Sequence, residues 1–365
     1  MSALYRVRCS PSRPAGSGQQ GAPADPLTLH IGATTADAAA GEAGAQSARA
    51  RIAGHQLLLW IHPHDPALPA LPWATDANAV GRDVFGSTEP ARLHLAAYRP
   101  LRRAVVRAGH GPDSAYLKLL PAALLPALRR RHRLLEEASV PAPRLMHVPA
   151  AEARGAAVLT ALPGVPLFRL LVDDGALGVS PETFLQFLDT LPPSALDLPR
   201  RRAWAERSAD YAEAACAALP GAAAAIRTLA EGIREVMDSA PAGPVVPVHG
   251  DFHEGNILMQ GTAVGGLLDL DALGPGHRVD DLACLLGHLS VLAASNPARP
   301  QLAQALERFC SVFEQAADPA ALNARASGVV LTLVAGAPGR NAVERAHNAQ
   351  QRLRTAQRLL VRARA

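Results

Sequence analysis

The sequence predicts an α+β fold in two lobes, a β-rich N-lobe followed by a mainly helical C-lobe. Three observations lead there. Short runs of alternating hydrophobicity recur between Arg92 and Leu120. A stiff connector, Leu162-Pro-Gly-Val-Pro166, follows them. Beyond the connector, long helical periods enclose one β-rich island at 245–271.

The elements follow in order. Residues 5–9, 27–32 and 56–61 read as strands, and 35–50 as a linker without apolar periodicity. The proline-punctuated stretch 62–72 reads as irregular. Residues 92–98, 103–108 and 115–120 form an antiparallel meander. A helix follows over 125–139, with Pro126 in its first turn and Pro141 and Pro143 stopping it. Residues 144–148 and 156–160 read as strands. In the C-lobe, Ser180-Pro-Glu182 reads as a helix start, with Ser180 as the cap. Further helices are expected over 200–219, 222–238, 279–293, 301–316, 320–335 and 342–365. The domain reading is an N-terminal extension at 1–50, partly flexible, an N-lobe at 51–161 and a C-lobe at 162–365.

Composition narrows the function. A chain of 365 residues with 49% hydrophobic and 19% charged residues can bury a core and is not disordered throughout. With only 4% aromatic residues it lacks the rings of a base-stacking surface, so no nucleic-acid partner is expected. No apolar run is long enough to span a membrane, and no secretory h-region follows the N-terminal arginines. Cys9, Cys216, Cys284 and Cys310 are widely separated, which excludes a zinc ribbon and fits a reducing cytoplasm. The net charge is +4, yet of the 36 basic residues only Lys118 is lysine. In a chain so biased toward arginine, one retained lysine marks a place where a compact point charge is needed, as against a phosphate.

The chemistry concentrates in the island. It reads Val245-Val-Pro-Val-His-Gly-Asp-Phe-His-Glu-Gly-Asn-Ile-Leu-Met259 and then Val264-Gly-Gly-Leu-Leu-Asp-Leu-Asp271. Asp251 lies on a glycine-containing loop after a strand, Asn256 at the start of the next strand and Asp269 at the end of its hairpin partner. A hairpin brings the three to one point. Two carboxylates and an amide oxygen are hard ligands that suit Mg²⁺. A carboxylate left over can accept a proton from a hydroxyl undergoing phosphoryl transfer.

The pattern His249-Gly-Asp-x-x-x-x-Asn-Ile-Leu followed by Leu-Asp-Leu-Asp resembles the aminoglycoside phosphotransferase and choline-kinase-like small-molecule kinases, from about Tyr98 to the C-terminus. The resemblance implies a protein-kinase-like fold and transfer of the γ-phosphate of ATP, or of GTP, to a hydroxyl of a small molecule. It implies that Asp251 is the catalytic aspartate, that Asn256 and Asp269 bind Mg²⁺, and that Lys118 holds the nucleotide phosphates. Thr160 and Leu162 match the hinge that meets an adenine edge, which makes 51–161 the nucleotide-binding lobe. Asp281 reads as structural and His249 as a scaffold residue. His253 serves either substrate contact or a loop hydrogen bond, and Asp271 either the metal or the strand end. A glutamate partner for Lys118 is expected near Arg129, where this chain has Arg129-Arg-Arg-His-Arg133, so Glu136 and Glu137 serve only with a shifted helix register; Arg129–Arg133 reads as a solvated helix face. The turn Pro100-Leu-Arg-Arg103 takes the place of a glycine-rich phosphate loop. The acceptor is left open among an aminoglycoside, another amino-alcohol, a sugar and a biosynthetic intermediate, as is the oligomeric state. The competing class is a pseudokinase or nucleotide-binding regulatory protein. A protein kinase is disfavoured because no Ala-Pro-Glu segment follows Asp269.

Overall fold

The computed structural model describes residues 2–9, 27–35, 47–52 and 54–365. The chain divides into two compact units, Met1–Arg129 with Arg144–Ala161, and Arg130–Pro143 with Leu162–Ala365.

The first unit holds two antiparallel sheets. Strands β1 (Ser2–Cys9), β2 (Leu27–Thr35), β3 (Ser47–Ile52) and β4 (His55–Ile61) pair in the order β1-β2-β4-β3. The reading of 35–50 as a linker is corrected where it can be compared: Thr35 ends β2, and Ser47–Ala50 lie in β3. Residues 36–46 of that reading lie outside the described residues. The alternation in β3 is of small and charged side chains, so no apolar signal marks it; its ladder to the apolar β4 makes it a strand. Gly32 has a packing reason, since a Cβ there would sit 2.0 Å from the Trp60 ring.

Between the sheets, the proline-rich stretch ends in the turn α1 (Leu71–Ala74) and in α2 (Ala77–Phe85), a helix the sequence reading missed. Both ends of α2 carry their signals. Asp76 accepts from the Asn78 and Ala79 amides, and Gly86 closes it at φ 65°.

The second sheet contains the meander as expected. Strands β5 (Arg92–Arg99), β6 (Arg103–His110) and β7 (Asp113–Leu119) come first. The helix α3 (Leu125–Glu137), β8 (Leu145–Met146), α4 (Pro149–Ala153) and β9 (Ala156–Thr160) follow, and the sheet order is β5-β6-β7-β9-β8. The strand read over 144–148 shrinks to two residues, because Pro149 opens α4. Val106, Leu117 and Leu119 form the inner face against Leu71, Trp73 and Val80.

Buried Asp65 pins the β5–β6 turn. It accepts from the Tyr98 hydroxyl and the Leu101 amide, both at 2.8 Å. Burial, reinforced by this carboxylate, pushes the Tyr98 pKa up and keeps its hydroxyl a donor.

The second unit is mainly helical. It takes in α3 from Arg130 onward and continues with β10 (Val165–Pro166), α5 (Leu167–Asp174), α6 (Glu182–Asp189), α7 (Ser208–Ala218) and α8 (Ala223–Ser239). The island supplies β11 (Val245–Val248), β12 (Ile257–Gln260) and β13 (Ala263–Leu267), and β14 (Gly274–His277) follows just beyond it. The chain ends in α9 (Arg278–Ser295), α10 (Pro300–Ala316), α11 (Pro319–Leu333) and α12 (Ala342–Ala363). β12 pairs with β10 and β13, and β11 with β14. α9 enters through a capping box between His277 and Asp280.

Two helix readings are corrected. Ser180 caps nothing with its side chain; its hydroxyl donates to the Glu182 carboxylate, and its carbonyl accepts the Thr183 amide instead. The helix expected from residue 200 begins at Ser208, because the preceding residues are tied by side chains. Arg200 pairs with Glu206, and Glu206 also accepts the Ala203 amide. The basic α12 packs with Leu353, Ala356 and Leu360 inward against α8 and α11. No helix among the described residues is long and apolar enough to cross a membrane.

Candidate active site

The β12–β13 hairpin builds the centre. Ile257 pairs with Leu267, so Asn256 and Leu268 lie just beyond the last rung, at the same end of the hairpin. The ladder extends there, the Leu268 amide donating to the Asn256 carbonyl at 2.8 Å. From the other side, the His249 Nε2–H donates to the Leu268 carbonyl at 2.9 Å. Leu268 is thus clamped at both peptide groups, and Asp269 follows it at φ 55° and ψ 63°. Aspartate tolerates this left-handed conformation better than most side chains. Such backbone held in a sparsely populated region occurs where surrounding structure over-determines it.

Asp251 and Asn256 meet directly. Asn256 Nδ2 donates to the Asp251 carbonyl at 2.9 Å and lies 3.4 Å from Asp251 Oδ2. The amide nitrogen is therefore engaged inward, so Oδ1 is the Asn256 atom that could hold a metal. That oxygen and the Asp269 carboxylate are hard donors and fit Mg²⁺. Asp251 and Asp269 both raise the affinity of His249 and His253 for a proton, which places the two carboxylates around one centre.

The loop carrying Asp251 is held from below. Asp281, fully buried on α9, accepts the His249 amide at 2.7 Å and the Gly250 amide at 2.8 Å. Burial pushes the Asp281 pKa up to about 7, against the pull of these two N–H donors. Gly250 is required at φ +78°, and a Cβ there would lie 2.8 Å from the Ala272 carbonyl oxygen. His249 is completely buried, and that burial holds its pKa down. The ring braces the loop through its Nε2–H bond to the Leu268 carbonyl. Next to Asp251, Phe252 is fully buried and meets Phe184 edge-on at 6.3 Å.

Several functional neighbours escaped sequence reasoning. Trp204 Nε1 donates to Asp251 Oδ1 at 2.9 Å. The signal was available, as a tryptophan in a chain with three. The helix expected over this segment obscured it. Trp204 lies 6.0 Å from the Tyr211 ring, and the Arg207 guanidinium sits over both rings at 5.2 and 5.1 Å. The indole N–H orients one Asp251 oxygen. Trp204→Phe, which keeps a ring and loses the donor, is expected to lower kcat about tenfold with nucleotide affinity unchanged. Steady-state kinetics and a thermal melt on the same sample check this.

Glu254 and His288 are the others. Glu254 Oε2 lies 3.7 Å from His253 Nδ1 and 3.5 Å from His288 Nδ1, and the two rings stack at 4.3 Å. Burial alone would raise the Glu254 pKa, but the two histidines outweigh it and hold the carboxyl well below the usual range. Burial alone would lower the His253 pKa, but Glu254, then Asp251 and Asp269, raise it. The trio is not built to chelate. Imidazole lone pairs lie in the ring planes, and planes 12° from parallel do not converge. His253 Nδ1 also accepts the Gly255 amide at 3.1 Å, so His253 makes a loop hydrogen bond.

The basic run in α3 is not a uniformly solvated face. Arg131 is buried and donates to the Leu273 carbonyl at 2.9 Å, and His132 Nδ1 meets the Pro143 carbonyl at 2.7 Å. Asp271 acts on the Arg131 charge.

In the first unit, Lys118 is 6% exposed on β7, between Val105 on β6 and Ala157 on β9. Thr160 ends β9; its amide donates to the Arg144 carbonyl, and its hydroxyl accepts the Arg144 amide. In the second unit, Leu162 packs on Gly266, whose Cβ would lie 2.7 Å from Leu162 Cδ1.

A model of the phosphotransferase enzyme family matches residues 94–325. The resemblance expected from about Tyr98 to the C-terminus is matched by the family model as far as residue 325. Among solved structures, the chain is similar to a thermostable mutant of aminoglycoside phosphotransferase APH(4)-Ia in its apo form. Identity is 13%, coverage is 77% of this chain and 98% of that one, and the TM-score is 0.56. The same protein in a ternary complex with ADP and hygromycin B gives 14% identity, 77% and 96% coverage and a TM-score of 0.52. Aminoglycoside phosphotransferase APH(3'')-Id from Streptomyces rimosus gives 21% identity, 69% and 96% coverage and a TM-score of 0.50. No curated protein matches the chain. The family model covers well over half of the chain and contains the whole Asp251, Asn256 and Asp269 centre. The chain therefore belongs to the phosphotransferase enzyme family, as a small-molecule kinase of protein-kinase-like fold.

Proposed function

We propose that the protein transfers the γ-phosphate of ATP, with Mg²⁺, to a hydroxyl of a small molecule. One observation carries this reading: Asp251, Asn256 and Asp269 are gathered at one end of a hairpin, hard oxygen donors beside a carboxylate that can take a proton. Asp251, oriented by Trp204 and Asn256, accepts the acceptor's hydroxyl proton. Asn256 and Asp269 would hold Mg²⁺, which neutralises phosphate charge when bound. Lys118 would supply a fixed positive charge to the nucleotide phosphates. Catalysis by this set is positioning and charge stabilisation, with little covalent chemistry left to the protein.

A structural neighbour is solved with hygromycin B, so aminoglycosides are among the acceptors to test. The charges here favour a different class. A polycation needs unpaired carboxylates. Of the acids near Trp204, Glu206 pairs with Arg200, Asp210 with Arg202, and Glu213 with Arg227. A neutral or anionic hydroxyl compound fits this surface better. The buried cysteines Cys216, Cys284 and Cys310 are all free, which supports a reducing, cytoplasmic setting.

Thermal shift with ATP or GTP, with and without Mg²⁺, tests the reading. A Mg²⁺-dependent rise in Tm is expected for the wild type and not for Asp269→Ala. No shift with either nucleotide removes the proposal, and a shift without turnover transfers support to a nucleotide-binding regulatory role. Lys118→Ala should weaken nucleotide affinity in the same assay.

A further inference from the structure

The second unit contains a cavity of about 530 Å³ bordered by α7, α8 and α11. Its lining includes Arg202 and Ala205, which flank Trp204 in sequence. The space exists because Ala205, Ala209, Ala212 and Ala230 line it with methyl groups only. Arg325, on α11, also lines it, though only 5% of that residue is exposed.

Arg325 is incompletely satisfied. Its Nε donates to Asp280 Oδ1 at 2.9 Å, but its buried Nη1 has no acceptor among the described residues. A buried guanidinium normally has its N–H groups matched, and its planar fork suits carboxylate and phosphate. The acids of the wall do not supply the match. Glu206 and Glu213 each face another arginine, and Glu231 and Asp238 stand on the exposed rim with Arg234.

We infer that this cavity binds a small organic anion, whose carboxylate or phosphate group is received by Arg325. The site reports to the catalytic loop through one covalent step. Asp280, which Arg325 holds, precedes Asp281, which carries the His249 and Gly250 amides. The anionic group comes either from the phosphoryl acceptor or from a separate effector. Binding itself does not depend on the catalytic reading.

The test uses the full chain and radiolabelled inorganic phosphate in equilibrium dialysis. Ionic strength is held with chloride, and ADP and Mg²⁺ are present to fill the nucleotide site. Saturable binding at one site is expected. Ala209→Phe adds a ring to the cavity wall on α7 and leaves both Arg325 and Asp280 unsubstituted. Arg325→Lys keeps the charge opposite Asp280 and loses the fork. Each should weaken binding about tenfold or more. Absence of saturable binding overturns the inference, as does binding that survives either variant in a folded protein. Should Arg325→Lys fail to fold, Ala209→Phe decides alone.

Two further readouts name the source. Phosphorylation of hydroxyl-bearing anions with a KM raised by Ala209→Phe assigns the anionic group to the acceptor. A phosphate effect on acceptor-free ATP hydrolysis that Ala209→Phe abolishes assigns it to an effector. Either result supports the site.

Discussion

Asp251→Asn is expected to lower turnover by about 10²–10⁴-fold while leaving nucleotide affinity nearly unchanged. The substitution is close to isosteric. The amide oxygen it introduces can still accept the Trp204 indole N–H, which the wild-type carboxylate receives at 2.9 Å. Lost are the negative charge and the ability to take a proton from the acceptor. Asn256 and Asp269, the residues proposed to hold Mg²⁺, remain in place. Single-turnover kinetics beside a nucleotide titration separates the two effects. Turnover equal to the wild type would remove Asp251 from the catalytic role, and a parallel collapse of nucleotide affinity would make it a binding residue.

Asp281→Ala is expected to destabilise the second unit by about 2–6 kcal/mol, since two buried amides lose their acceptor. Those amides belong to His249 and Gly250, immediately before Asp251, so activity falls with stability. The pH dependence tests the origin of the effect. The folded-state pKa of Asp281 lies at about 7, above its ordinary value of 3.8. The folded chain therefore binds this proton more tightly than the unfolded chain. The corresponding stability is fully present below the ordinary value and is lost as pH rises toward 7. The stability gap between wild type and Asp281→Ala is accordingly larger at pH 5 than at pH 8. Urea unfolding at the two pH values measures it, and a gap that grows with pH contradicts burial as the dominant influence on Asp281.

Much of the site was legible because its chemistry is local in sequence. Asp251 and Asn256 stand five residues apart on one loop, and the Gln260-Gly261 turn returns the chain to Asp269. A short hairpin has few ways to close. Lys118 stood out through composition. The meander β5–β7 and the long helices α8 to α12 follow hydrophobic periods that a single segment displays by itself. The helix α2 carries its signals in Asp76 and Gly86, although the prolines before it mark the stretch as irregular.

The sequence by itself determined the family motif, the order of strands and helices around it and the grouping of Asp251, Asn256 and Asp269, the triplet proposed to carry catalysis. Tertiary structure alone decided which distant groups complete the centre. Trp204 is 47 residues from Asp251, and the segment 200–207 reads as helix until its arginines and Glu206 tie it otherwise. His288 reaches Glu254 from the interior of α9. Arg131 looks like any solvated arginine until Leu273, 142 residues away, takes its N–H. Arg325 becomes a binding group only because four alanines from other elements leave space beside it. The physical reason is common to all four. Periodicity reports which face of an element is apolar, whereas a polar group's role depends on the partner that desolvation forces it to find. That partner is set by packing across the fold and carries no signal in the neighbouring sequence.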